Sequence, residues 1–521
     1  MRRKILNLYS FAFIAFLSVA LLSSCRDDLS TMDVHPIEGV AFDTTGMSIV
    51  TVNQFEELNL QPNIITNLPE EQLEYEWSIN PEIGKLIEGE FQLISREKNL
   101  KYRVDFIPTK SLNRNDLHEL VLTVTDTQNG LKYIMSYPLS VRNSIGEGLV
   151  IAETYDEQTT DISHIMSPLV TSLYSGESVK HKIYSGANGF PIPGLVKQIK
   201  WSSLRSIGNV MLAITDNSIE AIKTLDYTIA AQNEELFFTP PASIKPMAIE
   251  VFKGGTTFNA FLVNDGRTYT DIVGNAGKWA LPDDFSFRAS AHIAVNRRSS
   301  PDFYLSFFDE QIGSFIYKQG FASWSDRTLY QMDAALTPFN PRGLLGNKVV
   351  AASVNEANDF IHILKDATGS GIGVYIIDGG SYGVPPKPKL YFDISNAPEI
   401  SEALNFVILA DQQVIYYATT SKIYAIMYGS TTPSYALRYT VAPGEEITTI
   451  QVFQQADYAN RYADEPYIST HNKQLIMSTY NGTEGKVYIM PFRTQGLALI
   501  EEGQIKKYDG FGRVTAIGTQ L

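Results

Sequence analysis

A strand–turn–strand pattern that recurs along the C-terminal part of the chain limits the possible folds more than any other feature. From residue 148 to residue 521, an apolar run, a polar turn and a second apolar run recur about every 45 to 60 residues. We count seven such units, each about 53 residues long on average, which is the length of a four-stranded propeller blade with long loops. The units lie at residues 148–153 with the stretch after it, 210–228, 257–272, 302–317, 359–377, 412–427 and 473–491. The pattern predicts an irregular β-propeller of seven blades, or of one more or one fewer. A second set of sandwich domains is the alternative, but no linker rich in Pro, Gly or Ser has the spacing that it would need.

The preceding part of the chain also has the pattern of β-strands, but without this repeat. In residues 120–125, Leu120, Leu122 and Val124 share one face and two threonines lie on the other, as expected for a half-buried antiparallel strand. Similar short runs are separated by Pro, Asn, Asp and Gly, and they lie at residues 47–52, 75–79, 100–107, 119–125 and 133–141. About a hundred residues with this many strands are typical of an immunoglobulin-like β-sandwich. The predicted fold class is therefore all-β, with an N-terminal sandwich followed by a propeller.

Length and charge restrict the functional classes. A chain of 521 residues is expected to form at least two domains, because a single hydrophobic core stops growing well below that length. The formal net charge is −15, and a surface with this excess of carboxylates repels a phosphate backbone. Nucleic acid is therefore not an expected partner.

The N-terminus has the pattern of a secretory signal peptide. Met1, Arg2, Arg3 and Lys4 form a short cationic start, and an apolar stretch follows over residues 5–22. A membrane-spanning helix is the alternative, but Asn7, Tyr9 and Ser10 interrupt the stretch, whereas a span needs about 20 predominantly apolar residues. The pattern favours export from the cytoplasm.

The apolar stretch ends at Cys25, the single cysteine of the chain. The sequence Leu22-Ser23-Ser24-Cys25 resembles the lipobox of bacterial lipoproteins, and this resemblance implies acylation of the Cys25 thiol with diacylglycerol, which adds lipid such as palmitate. Loss of residues 1–24 would remove three basic residues and take the formal charge from −15 to −18. Membrane attachment is then expected to depend on lipid rather than on charge.

The residues after Cys25 carry a second signal. Arg26, Asp27 and Asp28 resemble the export signal that sends lipoproteins of Bacteroidota to the outer face of the outer membrane. A solvated charged tether is the alternative interpretation. The expected domains are a signal peptide over residues 1–24, a lipidated flexible tether over 25–36, the sandwich over 37–145 and the propeller over 146–521.

The predicted sandwich also resembles a known domain. Tyr75-Glu76-Trp77, the segment 122–126 and Gly130 are similar to the pattern of the polycystic-kidney-disease (PKD) domain. The Gly-Asp-Gly stretch that usually follows the tryptophan is replaced by residues 78–81, Ser-Ile-Asn-Pro, so the resemblance implies a divergent PKD-like domain. We expect Trp77 to lie in its core.

The resemblance extends to the C-terminal part. The segments 238–241, 262–269, 416–419 with 422–424, 479–488 and 510–514 are similar to those of the PKD-like family of Bacteroidota surface lipoproteins, which combine a PKD-like domain with an irregular propeller. Members are typically encoded beside SusC/SusD-type transporters. The resemblance therefore implies an accessory subunit of an outer-membrane nutrient importer, with a SusC/SusD-type complex as its partner and a glycan or a peptide as its ligand.

None of the candidate catalytic motifs has the structural context that it requires. Residues 379–383 fit the nucleophile-elbow string Gly-x-Ser-x-Gly, but Pro385 and Pro386 exclude the helix that must follow it. The glycine-rich residues 369–373 precede a strand rather than the N-terminus of a helix, so they predict a turn. The seven histidines stand singly, without metal-ligand spacing. We predict no catalytic residues, no metal site and no cofactor; a catalytic group assembled from different blades stays open.

Two tryptophans are the candidate ligand-binding residues. Trp279 and Trp324 lie in loop-like contexts, where an indole could stack on a sugar ring or hold a peptide side chain. Packing between blades is the alternative for both, and Trp201 is a weaker candidate of the same kind. The sequence thus predicts a non-enzymatic lipoprotein at the outer membrane that faces the cell exterior. A propeller enzyme acting on glycans, as a lyase or a hydrolase, and a structural or adhesive protein are the alternatives.

Overall fold

The computed structural model describes residues 39–44, 49–81, 91–104, 117–142, 144–172, 174, 176–204, 207–254, 257–270, 277–296, 303–319, 326–381, 383–458, 466–495 and 497–521. These residues belong to two compact units. The first unit comprises residues 1–50, 57–103 and 111–140, and the second comprises 51–56, 104–110 and 141–521. No helix in the described part of the chain has the length and hydrophobicity of a transmembrane span.

The first part of the chain is built from short antiparallel strands. They are β1 (Val40–Phe42), β2 (Val50–Asn53), β3 (Glu57–Leu60), β4 (Ile64–Thr66), β5 (Leu73–Asn80), β6 (Gln92–Ser95), β7 (Leu100–Arg103), β8 (His118–Asp126) and β9 (Lys132–Arg142), with one 3₁₀ turn at Glu70–Gln72. In the first unit β6, β5, β8 and β9 lie side by side, β1 pairs with β4, and β3 pairs with β7.

The core of the first unit forms on one face of its larger sheet. Along β8 the buried residues alternate with half-buried ones, which is the pattern predicted for residues 120–125. Trp77 on β5 is fully buried, and its indole nitrogen donates a hydrogen bond of 3.0 Å to the carbonyl of Glu97. The predicted core role of Trp77 is confirmed.

From residue 148 onward the second unit has 28 strands in its described residues and little helix. Its helical elements are α1 (Ile183–Asn188) and 3₁₀ turns at Asn233–Leu236, Ile400–Glu402 and Glu502–Gln504. Its strands are β10 (Gly148–Thr154), β11 (Thr159–Met166), β12 (Ser178–Lys180), β13 (Ile192–Pro193), β14 (Gln198–Leu204), β15 (Gly208–Ile214), β16 (Ile219–Lys223), β17 (Ile229–Gln232), β18 (Pro246–Gly254), β19 (Thr257–Asn264), β20 (Arg267–Thr270), β21 (Ile293–Val295), β22 (Phe303–Asp309), β23 (Ser314–Gln319), β24 (Tyr330–Gln331), β25 (Lys348–Val354), β26 (Phe360–Lys365), β27 (Ile372–Asp378), β28 (Lys387–Asp393), β29 (Asn405–Ile408), β30 (Val414–Ala418), β31 (Lys422–Met427), β32 (Ser434–Thr440), β33 (Glu446–Val452), β34 (Gln474–Tyr480), β35 (Gly485–Pro491), β36 (Lys506–Phe511) and β37 (Arg513–Gln520).

These strands form antiparallel meanders that follow one another along the chain. In the described residues the sheets have the orders β37-β10-β11-β12, β14-β15-β16-β17, β18-β19-β20, β21-β22-β23-β24, β25-β26-β27-β28, β29-β30-β31-β32 and β33-β34-β35-β36. The last strand of the chain, β37, pairs with β10 and so takes the first position in the first sheet. The first strands of successive sheets lie against each other in the order β37-β14-β18-β21-β25-β29-β33 and back to β37. The second unit therefore has a β-propeller-like fold.

Apolar clusters fill the spaces between successive sheets. For example, one cluster joins the sheets that begin with β14 and β18, another joins those that begin with β29 and β33, and a third joins β33–β36 to the first sheet. Burial of each large side chain in such a cluster stabilises the fold by about 1.5–3 kcal/mol. The last cluster, which includes Val514 and Ile517 of β37, stabilises the closure of the ring.

The central strands of the sheets explain the strongest sequence signal. All five residues of β30, Val-Ile-Tyr-Tyr-Ala, are buried, whereas the outer strand β28 is largely exposed. A central strand is covered by a neighbouring sheet on each face, so both of its faces must be apolar. This is why the repeat reads as continuous apolar runs rather than as strict alternation.

Side chains close several of the hairpin turns between the second and third strands of a sheet. Asp156, for example, accepts hydrogen bonds of 2.9 Å and 2.7 Å from the backbone amides of Gln158 and Thr159. Thr215 and Asn481 accept bonds from the amides two and three residues further on in their own turns. Such turns hold the hairpin without help from tertiary contacts.

The predicted all-β class, with a strand-rich N-terminal domain followed by a propeller-like fold, is confirmed. The described residues hold only three strands in the sheet β18-β19-β20, and the count of seven blades therefore stays a prediction. The predicted boundaries at residues 37–145 and 146–521 also stay predictions, since the two units interleave along the chain.

Candidate ligand-binding cavity

The first strands of the sheets in the second unit surround a cavity of about 260 Å³. Its lining comes from β14, β18, β25, β29, β33 and β37 and from the loop that follows β33. Each of these strands is at the edge of its sheet, so one row of its backbone N–H and C=O groups is unpaired within that sheet. The cavity is therefore bordered by hydrogen-bonding backbone as well as by side chains. We call it the ring cavity.

One ion pair lines the ring cavity. The ammonium group of Lys200 on β14 lies 3.0 Å from a carboxylate oxygen of Glu250 on β18. The Lys200 side chain is 34% exposed and that of Glu250 is 20% exposed, so both groups remain accessible from the cavity. Because a pair of this exposure contributes only about 0–1 kcal/mol to stability, we consider its charges as potential ligand contacts.

Uncharged polar side chains lie on the other lining strands. Ser353 on β25, Gln451 on β33 and Thr519 on β37 are half-buried and line the same cavity. Within the described part of the chain, the side chains of these three residues make no hydrogen bond. They present a hydroxyl, an amide and a second hydroxyl from three different sheets, and a bound molecule could use all three.

Aromatic side chains supply the apolar part of the lining. Phe406 on β29 and Tyr458 in the loop after β33 are both half-buried, and Trp201 on β14 also borders the cavity. The ring of Phe406 lies 6.1 Å from that of Tyr417, and Tyr458 lies 4.7 Å from the imidazole of His471. These contacts restrain the rings, which is useful for an aromatic surface that must accept a ligand.

The loop after β33 is held in place by a network around Gln455, which is 2% exposed. The Gln455 side chain donates to Glu147 and to the hydroxyl of Ser172 at 3.1 Å, and its carbonyl oxygen accepts a bond of 2.6 Å from the amide of Ile468. Its own backbone amide donates to Nδ1 of His471 at 3.1 Å. Four partners therefore position the cavity wall that carries Tyr458.

This arrangement is suited to binding a small polar molecule. It combines one balanced ion pair, uncharged hydrogen-bonding groups and restrained aromatic rings, which is the mixture that ligand pockets use. In the described residues, no group of three or more His, Cys, Asp or Glu side chains has the arrangement of a metal site.

Of the site residues predicted from the sequence, one lies in the described part of the chain. Cys25, Arg26, Asp27, Asp28 and Trp324 lie outside the described residues. The structure does describe Trp279, and this residue does not line the ring cavity.

Trp279 is only 3% exposed and belongs to the apolar cluster between the sheets that begin with β14 and β18. Its indole nitrogen donates a bond of 3.2 Å to the carbonyl of Ala260, and its ring lies 5.4 Å from that of Phe237. This placement favours the packing role that the sequence left as the alternative, because a buried indole with a satisfied N–H presents no surface to a ligand.

Sequence reasoning did not identify most residues of the ring cavity. Trp201 was only a weak candidate, and Lys200, Ser353, Gln451 and Thr519 were not candidates at all. A usable signal does exist: these four polar residues lie on β14, β25, β33 and β37, each the first strand of its sheet, whereas the second strand β30 is wholly apolar. Polar residues on these first strands therefore mark the lining of the ring.

Some solved structures are similar to this chain at low sequence identity. A quinoprotein alcohol dehydrogenase-like protein from Bacteroides thetaiotaomicron is 12% identical over 93% of this chain and 98% of its own, with a TM-score of 0.46. A mutant of the apocarotenoid oxygenase of Synechocystis is 8% identical over 91% and 100%, with a TM-score of 0.35. Apo AztD from Citrobacter koseri is 10% identical over 86% and 98%, with a TM-score of 0.33. Scores below 0.5 support no conclusion about function.

Sequence comparisons match a smaller part of the chain than the structural comparisons do. No curated protein matches the chain. A family model matches its N-terminal third: residues 25–195 match the PKD-like family.

Proposed function

We propose that this protein is a non-catalytic ligand-binding lipoprotein of the bacterial surface, in which seven sheets act as the blades of a propeller. The observation that carries the binding role is the ring cavity, where Ser353, Gln451 and Thr519 converge from three sheets without partners in the described part of the chain. A polar side chain that lines a cavity without a protein partner is available to a bound molecule.

The proposed location and partner rest on the N-terminal sequence and on family resemblance. Lipid on Cys25 anchors the chain in the outer membrane, Arg26, Asp27 and Asp28 direct it to the outer face, and the PKD-like domain serves as a spacer. The match of residues 25–195 to the PKD-like family supports the resemblance on which the partner is based. The partner is a SusC/SusD-type transporter complex, to which this protein is an accessory subunit.

Affinity purification from outer membranes tests this function. A C-terminally tagged full-length chain is purified in mild detergent, and the proteins that accompany it are identified. We expect a SusC/SusD-type pair to co-purify with the wild-type chain. The matched control is Cys25→Ser, which should lose lipid labelling and leave the membrane fraction while its fold is unchanged.

Three results would contradict parts of the proposal. Repeated recovery of the wild-type protein alone would argue against the accessory role. Membrane attachment of the Cys25→Ser variant would argue against the lipid anchor. Turnover of a glycan by the purified protein would argue against a purely non-catalytic role.

A further inference from the structure

We propose that the ring cavity binds an uncharged, polyhydroxylated molecule of the size of one sugar ring. This inference rests on the proposed binding function and names its ligand class.

The volume of the cavity limits the size of the ligand. The cavity has a volume of about 260 Å³. It is slightly below the range of about 300–1,000 Å³ that holds drug-sized ligands. An extended oligosaccharide or peptide would therefore fit only in part, whereas a single sugar ring with its hydroxyls fits whole.

The ion pair favours a ligand without net charge. Lys200 and Glu250 lie 3.0 Å apart and neutralise each other. An anionic or a cationic ligand would add a net charge that this balanced pair does not neutralise, in a partly enclosed site, which costs free energy. A zwitterion would bring two further charges that must both lose water on entering the cavity. A hydroxyl can accept from the ammonium and a second hydroxyl can donate to the carboxylate while the pair stays intact.

The remaining lining also fits several hydroxyl groups on one ring. Ser353, Gln451 and Thr519 offer donors and acceptors from three sheets around the cavity, so the ligand must carry polar groups in several directions. Phe406 and Tyr458 add half-buried aromatic surface, against which the C–H side of a sugar ring can pack. Hydroxyls around the edge and an apolar face are the combination found in an uncharged sugar.

The test measures binding to the full-length protein in detergent by isothermal titration calorimetry. The uncharged probes are glucose, galactose, mannose and xylose, the charged sugar probes are glucuronate and glucosamine, and the zwitterionic probe is glycylglycine. We expect at least one uncharged sugar to bind, and the charged and zwitterionic probes to bind at least about tenfold more weakly, because their charges must lose water in the cavity.

Two variants assign the binding to the ring cavity. Ser353→Ala and Gln451→Leu each remove one hydrogen-bonding group, and each should weaken binding of that sugar by about three- to tenfold. Gln158→Leu makes the same chemical change on an exposed hairpin turn and should leave binding unchanged. The two cavity variants are folded if their thermal unfolding midpoints equal that of the wild-type protein.

The outcomes separate this inference from the proposed function. Failure of all four uncharged sugars to bind, or tighter binding of a charged probe, overturns the ligand class even if a transporter co-purifies. Unchanged binding by both cavity variants overturns the assignment to the ring cavity. Sugar binding without a co-purifying transporter supports the inference and contradicts the accessory role instead.

Discussion

The buried imidazole of His362 makes the stability of the second unit depend on pH. His362 lies on β26 with no exposed surface, and its Nε2 is 3.0 Å from the hydroxyl of Ser306. Nδ1 has no hydrogen-bond partner in the described part of the chain. Burial lowers the pKa of His362 to about 3 from its ordinary value of 6.5. As the pH falls, the imidazole of the unfolded chain takes up a proton near its ordinary pKa of 6.5. In the folded protein the same imidazole is still neutral at that pH.

The difference between the pKa of His362 in the folded protein and its ordinary value sets the sign and the size of the pH effect on stability. Below about pH 6.5 the unfolded chain binds a proton at His362 that the folded protein does not, so acidification favours unfolding. At about pH 5 the cost is roughly 2 kcal/mol, because each pH interval of one unit below the unfolded pKa costs about 1.4 kcal/mol. His164 is also fully buried with its pKa lowered to about 3, so it should add a similar cost. Together these costs are a large part of a typical stability of about 5–15 kcal/mol.

The assay compares the wild-type protein with His362→Gln in urea at about pH 7.5 and pH 5. A short deuterium-labelling pulse, read at the amides of β26, reports unfolding of the sheet that contains residue 362 rather than of the first unit. The wild-type protein should lose more stability between the two pH values than the variant does, by about 2 kcal/mol, because glutamine does not titrate. His181→Gln, at an exposed position, should reduce the loss of stability between the two pH values by less than His362→Gln does.

The comparison between variants is needed because buried carboxyl groups act in the opposite direction. Burial raises the pKa of Glu153 and of Glu220, so both favour the folded state as the pH falls. They act equally in both proteins and cancel in the difference. An identical loss of stability on acidification in the wild-type protein and in His362→Gln would refute the reasoning.

Three further changes test the packing by chemical denaturation. Trp279→Ala should lower the free energy of unfolding by about 3–5 kcal/mol, since the indole is core. Sugar binding should be unchanged in a folded sample of this variant. Loss of binding with normal stability would identify Trp279 as a ligand residue. Lys318→Met leaves Asp283 buried without its ion-pair partner and should lower the free energy of unfolding by about 3–5 kcal/mol. Adding Asp283→Leu should recover part of this loss, because the uncompensated carboxylate is then removed. A Lys318→Met variant as stable as the wild-type protein would contradict this. Gly313→Ala puts a Cβ against the backbone nitrogen of Leu345 at φ +62° and should lower the free energy of unfolding by more than about 1 kcal/mol. Gly482→Ala, at φ +95° with open space around the added Cβ, should cost less.

Local sequence was enough to predict the fold class and the repeat. The hairpin around residues 412–427 was predicted because Val-Ile-Tyr-Tyr-Ala and the next apolar run are joined by a short polar turn, and both are strands in the structure. Trp77 was predicted as core from its place in a strand-rich domain. These features depend on neighbouring residues, whose preferences act before any distant contact forms.

The functional residues could not be found in the same way. Trp279 and Trp324 were selected because their surroundings look like loops, yet Trp279 is packed by Phe237 and Ala260, and only the pairing of distant segments decides this. Gln455 looks like any polar loop residue, but its contacts with Glu147, Ser172 and Ile468 make it a wall support of the cavity.

The sequence by itself determined that this chain is all-β, that a PKD-like domain comes first, and that repeated hairpins follow. The tertiary structure decided where a ligand can bind. The pairing of β37 with β10 brings Thr519 into the same ring as Lys200 and Glu250, although more than 260 residues separate it from Glu250 in the chain. A cavity at the centre of a closed ring depends on the whole ring, because each sheet contributes one strand and none of them encloses a space alone.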